Sequence, residues 1–451
     1  MIDRSIRWSS AGLLFLALIL GGSAQGIWGN FVLVLVALAV LAMAVWAPPT
    51  DAPRLLGRLP WIAGGLVALL IVMLVPLPPG IWAALPGRAM VARGFDLMGV
   101  PRPWLAWSLT PADSLVAMVS LIVPLAVFVA VARDPRKRPF LMLVALGAGT
   151  VLGVMLGFLQ ARDGGGAHWY LYRFSAFGQA SGFFANSNHM GSLLLANIPF
   201  VTALAADQYA SRSNISQRGL VIASAVGIGI ILVFAIALNH SLAVLLLGGP
   251  VILLSLTIPP WRDPRVRKGL ALVAVVALLG AVVLGATQGR FAPAGKQSSL
   301  DTRRTIWATS ATAVGDFGMT GSGLGSFPKI YPHYESPAEV DTTYINHAHN
   351  DPLELIVELG LPGLVLMVAF LFWWARRVRA AWRVGEGNVY ARGASIASGA
   401  ILLHSLVDFP LRTAAIAAVF ALSIGLLLLR IPLVRSDGRK ELWDPRHVSI
   451  D

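Results

Sequence analysis

The chain reads as an all-α polytopic membrane protein, with about twelve transmembrane helices and one large loop on the outer face. Three observations predict it. Of 451 residues, 56% are hydrophobic and only 13% charged, against about a quarter charged in soluble domains. Apolar runs of about 20 residues recur, each long enough as a helix to cross ~30 Å of hydrocarbon, and no alternating β-barrel segments interrupt them. One polar interval, 286–360, breaks that rhythm and gathers histidine, arginine and glycine.

Taken in order, Met1 to Arg4 and the apolar run Ser10 to Leu20 lack a cleavage pattern after Gly22. They predict a first membrane helix rather than a removed signal. Spans are expected at 11–27, 29–46, 60–77, 114–132, 140–160, 189–206, 219–238, 242–258 and 269–286, then at 361–375, 394–409 and 414–430. Residues 1–285 therefore hold helices one to nine, 286–360 the large loop, 361–430 helices ten to twelve, and 431–451 a polar cytoplasmic tail.

The net charge is +13. With the N-terminus inside, most Lys and Arg residues fall on inner connections, such as Arg136-Lys137-Arg138 and Arg262 to Lys268. That bias places both termini in the cytoplasm and accounts for the excess charge without nucleic acid. Cysteine is absent, so thiolate and disulfide chemistry are excluded. Two further outer segments are substantial. Residues 76–112, with Trp82, Arg88, Arg93, Arg102 and Trp104, suit a helix lying at the interface. Residues 162–188 carry Trp169, Tyr170, Arg173, Phe184 and Asn188.

The residues that can carry chemistry sit on that outer face, as do His168, His189, His240, His333, His347 and His349. In His347-Ala348-His349-Asn350-Asp351 an imidazole can accept a proton from a sugar hydroxyl near neutral pH, with Asn350 and Asp351 fixing the ring or orienting a substrate. The competing readings are loop hydrogen bonding and metal ligation. The second lacks a third ligand at a persuasive spacing, so neither metal nor cofactor is expected. Leu353 to Leu359, with Glu354 and Glu358 at i and i+4, predicts an amphipathic helix that leads through Gly360 to Gly363 into the tenth span.

Arg303 and Arg304 offer planar donors suited to a lipid diphosphate, or else a solvated pair; Arg173 and Arg290 are weaker members of the same set. Gly321 to Phe327 lacks the Gly-Lys-Ser ending of a nucleotide loop and is either a plain turn or a backbone nest. Charged residues are missing near mid-membrane in spans one to ten and twelve, which argues against an ion-coupled carrier. Asp408 and Arg412, four apart, are expected to pair across one helical turn as structural support.

Together the motifs Arg304-Thr305-Ile306-Trp307, Gly321-x-Gly323-x-Gly325-x-Phe327, His347-Ala348-His349-Asn350-Asp351 and Glu358 to Gly363 resemble the O-antigen ligase and polymerase family. Gly182 to His189 and His404 to Asp408 are similar too. The resemblance spans roughly residues 160–412. It implies a GT-C-like bundle in the bacterial inner membrane that passes a glycan from undecaprenyl diphosphate to an acceptor hydroxyl, without metal, at the periplasmic face. A ligase uses lipid A–core as acceptor; a polymerase joins lipid-linked repeat units instead, and a lipid-linked sugar flippase is the more distant alternative. By the resemblance His349 is the general base, with His347 second. Arg304, with Arg303 and Arg173, holds the diphosphate, and Asn350, Asp351 and Asn188 line the substrate site. Many relatives have Ser-Arg-Gly where this chain has Asn239-His240-Ser241, so His240 is expected to take the place of the missing arginine.

Overall fold

The structure is a computed structural model and describes residues 2–46, 57–134, 139–163, 166–239, 241–259, 299–338, 340, 344–383 and 388–429. The expected ninth span 269–286, His240, Arg290 and the tail 431–451 lie outside the described residues.

Helices dominate. Six are long and apolar enough to cross a membrane: α2 (Ile27–Trp46), α6 and α7 together (Pro111–Ser120 and Ile122–Ala132), α8 (Phe140–Arg162), α9 (Ser187–Ser211), α10 (Ile215–Leu238) and α14 (Asp351–Ala381). Shorter apolar helices are α1 (Ile2–Leu20), α3 (Leu59–Leu74), α11 (Leu242–Ser255) and α16 (Ala414–Leu426), joined by α15 (Val389–His404).

The helix α9 lies at the centre. Its side chains are buried almost all round, from Ser187 to Phe200, whereas α2 and α10 present Trp28, Phe31, Ile230 and Phe234 outward. A helix apolar on every side needs apolar surroundings, and a lipid-facing stripe supplies them for the outer helices. Several polar side chains within the bundle pair with one another: Ser192 Oγ lies 2.7 Å from His404 Nδ1, and Asn197 donates to Thr150 Oγ1.

One end of the bundle carries a polar cap. Residues 76–106 do not form one interfacial helix. They pair Pro76–Leu77 with Leu105–Ala106 as two short antiparallel strands, between which lie the helices α4 (Pro79–Trp82) and α5 (Ala89–Met98). The prolines at 76, 78, 79, 86, 101 and 103 break a long helix here. Arg88 is buried under this cap and donates to the carbonyls of Pro86, Trp107 and Gly321 at 2.9, 2.6 and 2.9 Å. Burial lowers its pKa to about 10.

The large loop folds onto the cap through α12 (Ser299–Phe317) and the single turn α13 (Phe327–Ile330). A small second core of Ile306, Phe317, Phe327, Tyr331, Ala348 and Val357 fastens α12 to the start of α14. Within α14, Gly360 leaves helical geometry at φ 62°, ψ −157°. The break separates a first segment, 351–359, with Asp351, Glu354 and Val357 to Leu359 buried, from the apolar remainder. The glycine loop replaces the lost helical hydrogen bonds: Ser322 N–H donates to Val357 O at 2.9 Å and Gly323 N–H to Glu358 O at 2.8 Å. Those two donors are thereby occupied.

Candidate active site

The site forms where four segments meet: the start of α9, α12, the turn before α14, and the turn after α15. Each position has a local cause. The Asn186 side chain accepts from Asn188 N–H and starts α9, so Asn188 and His189 sit in its first turn. Asn350 caps α14 in the same manner, accepting from Leu353 N–H at 2.9 Å. It also donates to Leu406 O at 3.0 Å, which ties this turn to the one after α15.

Between the two, His349 is the one non-glycine residue with positive φ among the described residues, at 49°. A left-handed conformation without glycine costs about 1–3 kcal/mol and persists where its surroundings enforce it, which happens chiefly at functional sites. Trp307 helps to enforce it, donating from Nε1 to the His349 carbonyl at 3.3 Å.

Asp408 is the hub of this region. It is fully buried, and Phe409 N–H donates to its Oδ1 at 2.9 Å. The same Oδ1 faces His349 Nδ1 at 3.5 Å and His189 Nε2 at 3.6 Å. Its Oδ2 accepts from Arg303 Nη2 at 3.1 Å and from Asn188 Nδ2. A buried carboxylate needs such compensation, because an unpaired one costs several kcal/mol. With its Nδ1 edge toward Asp408, the His349 ring presents Nε2 on the opposite edge. The side chain remains 24% exposed, so that nitrogen can meet a substrate hydroxyl. Both nitrogens of His189 and the Nδ1 of His349 lack a hydrogen bond of ordinary geometry. Catalytic contacts are commonly long in the free protein.

A second network lies across the ring of Phe409, against which His189, His347 and His349 all pack with centroids at 4.8, 4.2 and 4.8 Å. Here Arg412 faces Glu358 Oε2 at 2.8 Å, Glu354 Oε1 at 3.4 Å and Asp351 Oδ1 at 3.5 Å. These acids recur at i, i+3 and i+7, so they line one face of α14. Burial alone would lower the Arg412 pKa; the carboxylates of Glu354, Glu358 and Asp351 raise it above the ordinary guanidinium range. Glu354 also accepts from His347 Nδ1, and Asp351 from Ser405 Oγ, both at 2.8 Å.

Of the residues the sequence singled out, His349, His347, Arg303, Asn188, Asn350 and Asp351 come together. Asn350 and Asp351 do so as helix cap and ion partner, roles that hold the turn. Arg304 lies beside the site with its side chain 77% exposed, 3.6 Å from Asp301. Arg173 is exposed and stacks on Phe174 at 5.4 Å. The expected Asp408–Arg412 pair is corrected: each belongs to a different network. The helix α15 ends at His404 rather than running to 409, and Pro410 starts a separate 3-10 turn, so the two residues share no helical face. Sequence reasoning missed His189, Glu354 and the central position of Asp408. The signal for two of them was present in the motifs Asn188-His189 and His404-Ser405-Leu406-Val407-Asp408.

Comparison with curated proteins gives no match. A family model described as O-Antigen ligase matches residues 225–368. The matched stretch holds α12, the glycine loop, the histidine turn and the start of α14, while Asn188, His189, Asp408 and Arg412 complete the site from outside it. Over that stretch, about a third of the chain, this protein with six helices long and apolar enough to cross a membrane is similar to the O-antigen ligase family.

Proposed function

We propose that the protein transfers a glycan from undecaprenyl diphosphate to a sugar hydroxyl of lipid A–core, at the periplasmic face of a bacterial inner membrane. In this reading the chain spans the bilayer about twelve times, with both termini in the cytoplasm. Residues 286–360 form the periplasmic loop. His349 Nε2 takes the proton of the acceptor hydroxyl as its oxygen bonds to the anomeric carbon of the donor sugar. The bond from that carbon to the diphosphate oxygen breaks, and undecaprenyl diphosphate leaves with the electron pair. Arg303, with the exposed Arg304 beside it, meets the negative charge that grows on the leaving group. No metal or nucleotide enters the step.

One observation carries this reading: Asp408 faces both the imidazole of His349, at 3.5 Å, and the guanidinium of Arg303, at 3.1 Å. A proton acceptor and a diphosphate-binding group held by one buried carboxylate are what glycosyl transfer from a lipid diphosphate requires. His349→Ala and Arg303→Ala, each in cells that make the lipid-linked glycan, test it. Loss of glycan-capped lipid A–core, with lipid-linked polymer accumulating and the variants inserted at normal levels, is expected. Undiminished capping in both variants counts against the reading. Accumulation of single repeat units instead shows polymerisation.

A further inference from the structure

We infer that Glu354 is a positioning residue for this transfer: it selects the tautomer of His347 and pins the backbone that keeps His349 left-handed. The inference rests on the glycosyl-transfer reading above.

Glu354 is fully buried on the first turn of α14. Its two oxygens face the preceding turn separately. Oε1 lies 2.8 Å from His347 Nδ1, and Oε2 accepts from Ala348 N–H at 2.8 Å. The residue directly after Ala348 is the strained His349, with φ at 49°. Trp307 and Asn350 restrain that residue from its carbonyl side onward. Glu354 restrains it from the amide side, so the turn is held at both ends.

The plain alternative is that Glu354 is only a counter-ion for Arg412. The charge balance argues otherwise. Asp351 and Glu358 already face that guanidinium at 3.5 and 2.8 Å, and one of them suffices to neutralise it. A third buried carboxylate on a single guanidinium adds repulsion and desolvation cost. Arg412 does offset the Glu354 charge, but from 3.4 Å, whereas both contacts at 2.8 Å, to the His347 imidazole and the Ala348 amide, lie in the histidine turn.

An ionised carboxylate only accepts hydrogen bonds. Nδ1 of His347 therefore carries a proton toward Glu354, and the lone pair of the neutral ring sits on Nε2, at the edge away from it. His347 is thereby prepared as a second acceptor beside His349, both rings packed on Phe409. This is the orienting role that a buried carboxylate plays behind a catalytic imidazole.

Glu354→Gln separates the two accounts. Glutamine has the same shape, and its carbonyl still accepts from Ala348 N–H. Its amide then meets His347 as a donor and forces the proton to Nε2. Full-length wild type and variant, in nanodiscs, are given a polyprenyl-diphosphate-linked oligosaccharide and lipid A–core. A fall in kcat of about 10- to 100-fold is expected, the range for a disturbed orienting partner, with acceptor KM changed by less than about threefold. In 15N-histidine spectra, with the His347 signals assigned from a His347→Asn variant, the protonated nitrogen is expected to switch from Nδ1 to Nε2. An unaltered tautomer, or a kcat within about twofold of wild type, overturns the inference while leaving transfer itself intact. A wild type that transfers nothing overturns the underlying reading as well.

Discussion

Two ionic networks face each other across Phe409, and they are built on opposite plans. Around Asp408 one carboxylate serves a guanidinium, an amide and two imidazoles, with contacts to Arg303, His349 and His189 of 3.1, 3.5 and 3.6 Å. Around Arg412 one guanidinium serves three carboxylates, and the contacts that fasten the turn, Glu358–Arg412, Glu354–His347 and Asp351–Ser405, are all 2.8 Å. In the first network the atoms without partners of good geometry are imidazole nitrogens of His189 and His349, whereas in the second they are Asp351 Oδ1 and Arg412 Nη2. The second draws α14, the histidine turn and the turn after α15 together. A site that must rearrange around a substrate benefits from groups that are incompletely satisfied, and those groups need a rigid frame. Under the proposed function, the chemistry belongs to the Asp408 side and the support to the Arg412 side.

Breaking the two sides should therefore give different phenotypes. Asp408→Asn is expected to have the largest effect on transfer, about 10³-fold or more, by analogy with the loss of a carboxylate behind a catalytic imidazole. Single-turnover rates on protein of normal abundance check it. Arg412→Met is expected to act on stability instead. Leaving its three buried carboxylates without a cation costs about 3–5 kcal/mol, read as a lower Tm and poor recovery from the membrane. If Asp408→Asn only unfolds the protein, or Arg412→Met leaves Tm unchanged, the division fails.

Gly321→Ala sharpens the supporting side. Its φ is 76°, and an added Cβ would lie 2.4 Å from the Glu358 carbonyl oxygen. Destabilisation of more than about 1 kcal/mol is expected, visible in thermal melts, because the loop that replaces the helical bonds at Gly360 must shift. The smallest effect is expected from Arg304→Ala. This exposed side chain pairs only with Asp301 among the ion pairs of the described residues, so its loss should reduce transfer less than tenfold, well below the effect of Arg303→Ala.

The six long apolar helices and the histidine turn were legible in the sequence for a physical reason: both depend on local pattern. Apolar length predicts a membrane helix, and Leu353 to Leu359 with Glu354 and Glu358 at i and i+4 predicts the amphipathic start of α14. The choice between the two arginines was harder. Arg304 belongs to the quoted motif, yet Arg303 stands at i to Ile306, Trp307 and Ser310 at i+3, i+4 and i+7, the stripe that faces the second core. Reading that phase would have pointed inward to Arg303. The partition of Asp408 from Arg412 was not legible. It depends on where α15 ends before Pro410 and on which distant segments, α9 and α12 against α14, each side chain meets. Glu354 was hidden similarly, since spacing places it on a helix face but does not say that the face is buried.

The central claim is that Asp408 and Arg303 act as one unit behind the transfer step. A double-mutant cycle on single-turnover transfer by full-length protein tests it most directly, using Arg303→Ala, Asp408→Asn and the combined variant. The account predicts that the combined variant is no slower than the slower single variant, because either change already dismantles the shared contact. Losses that multiply across the two changes would contradict it.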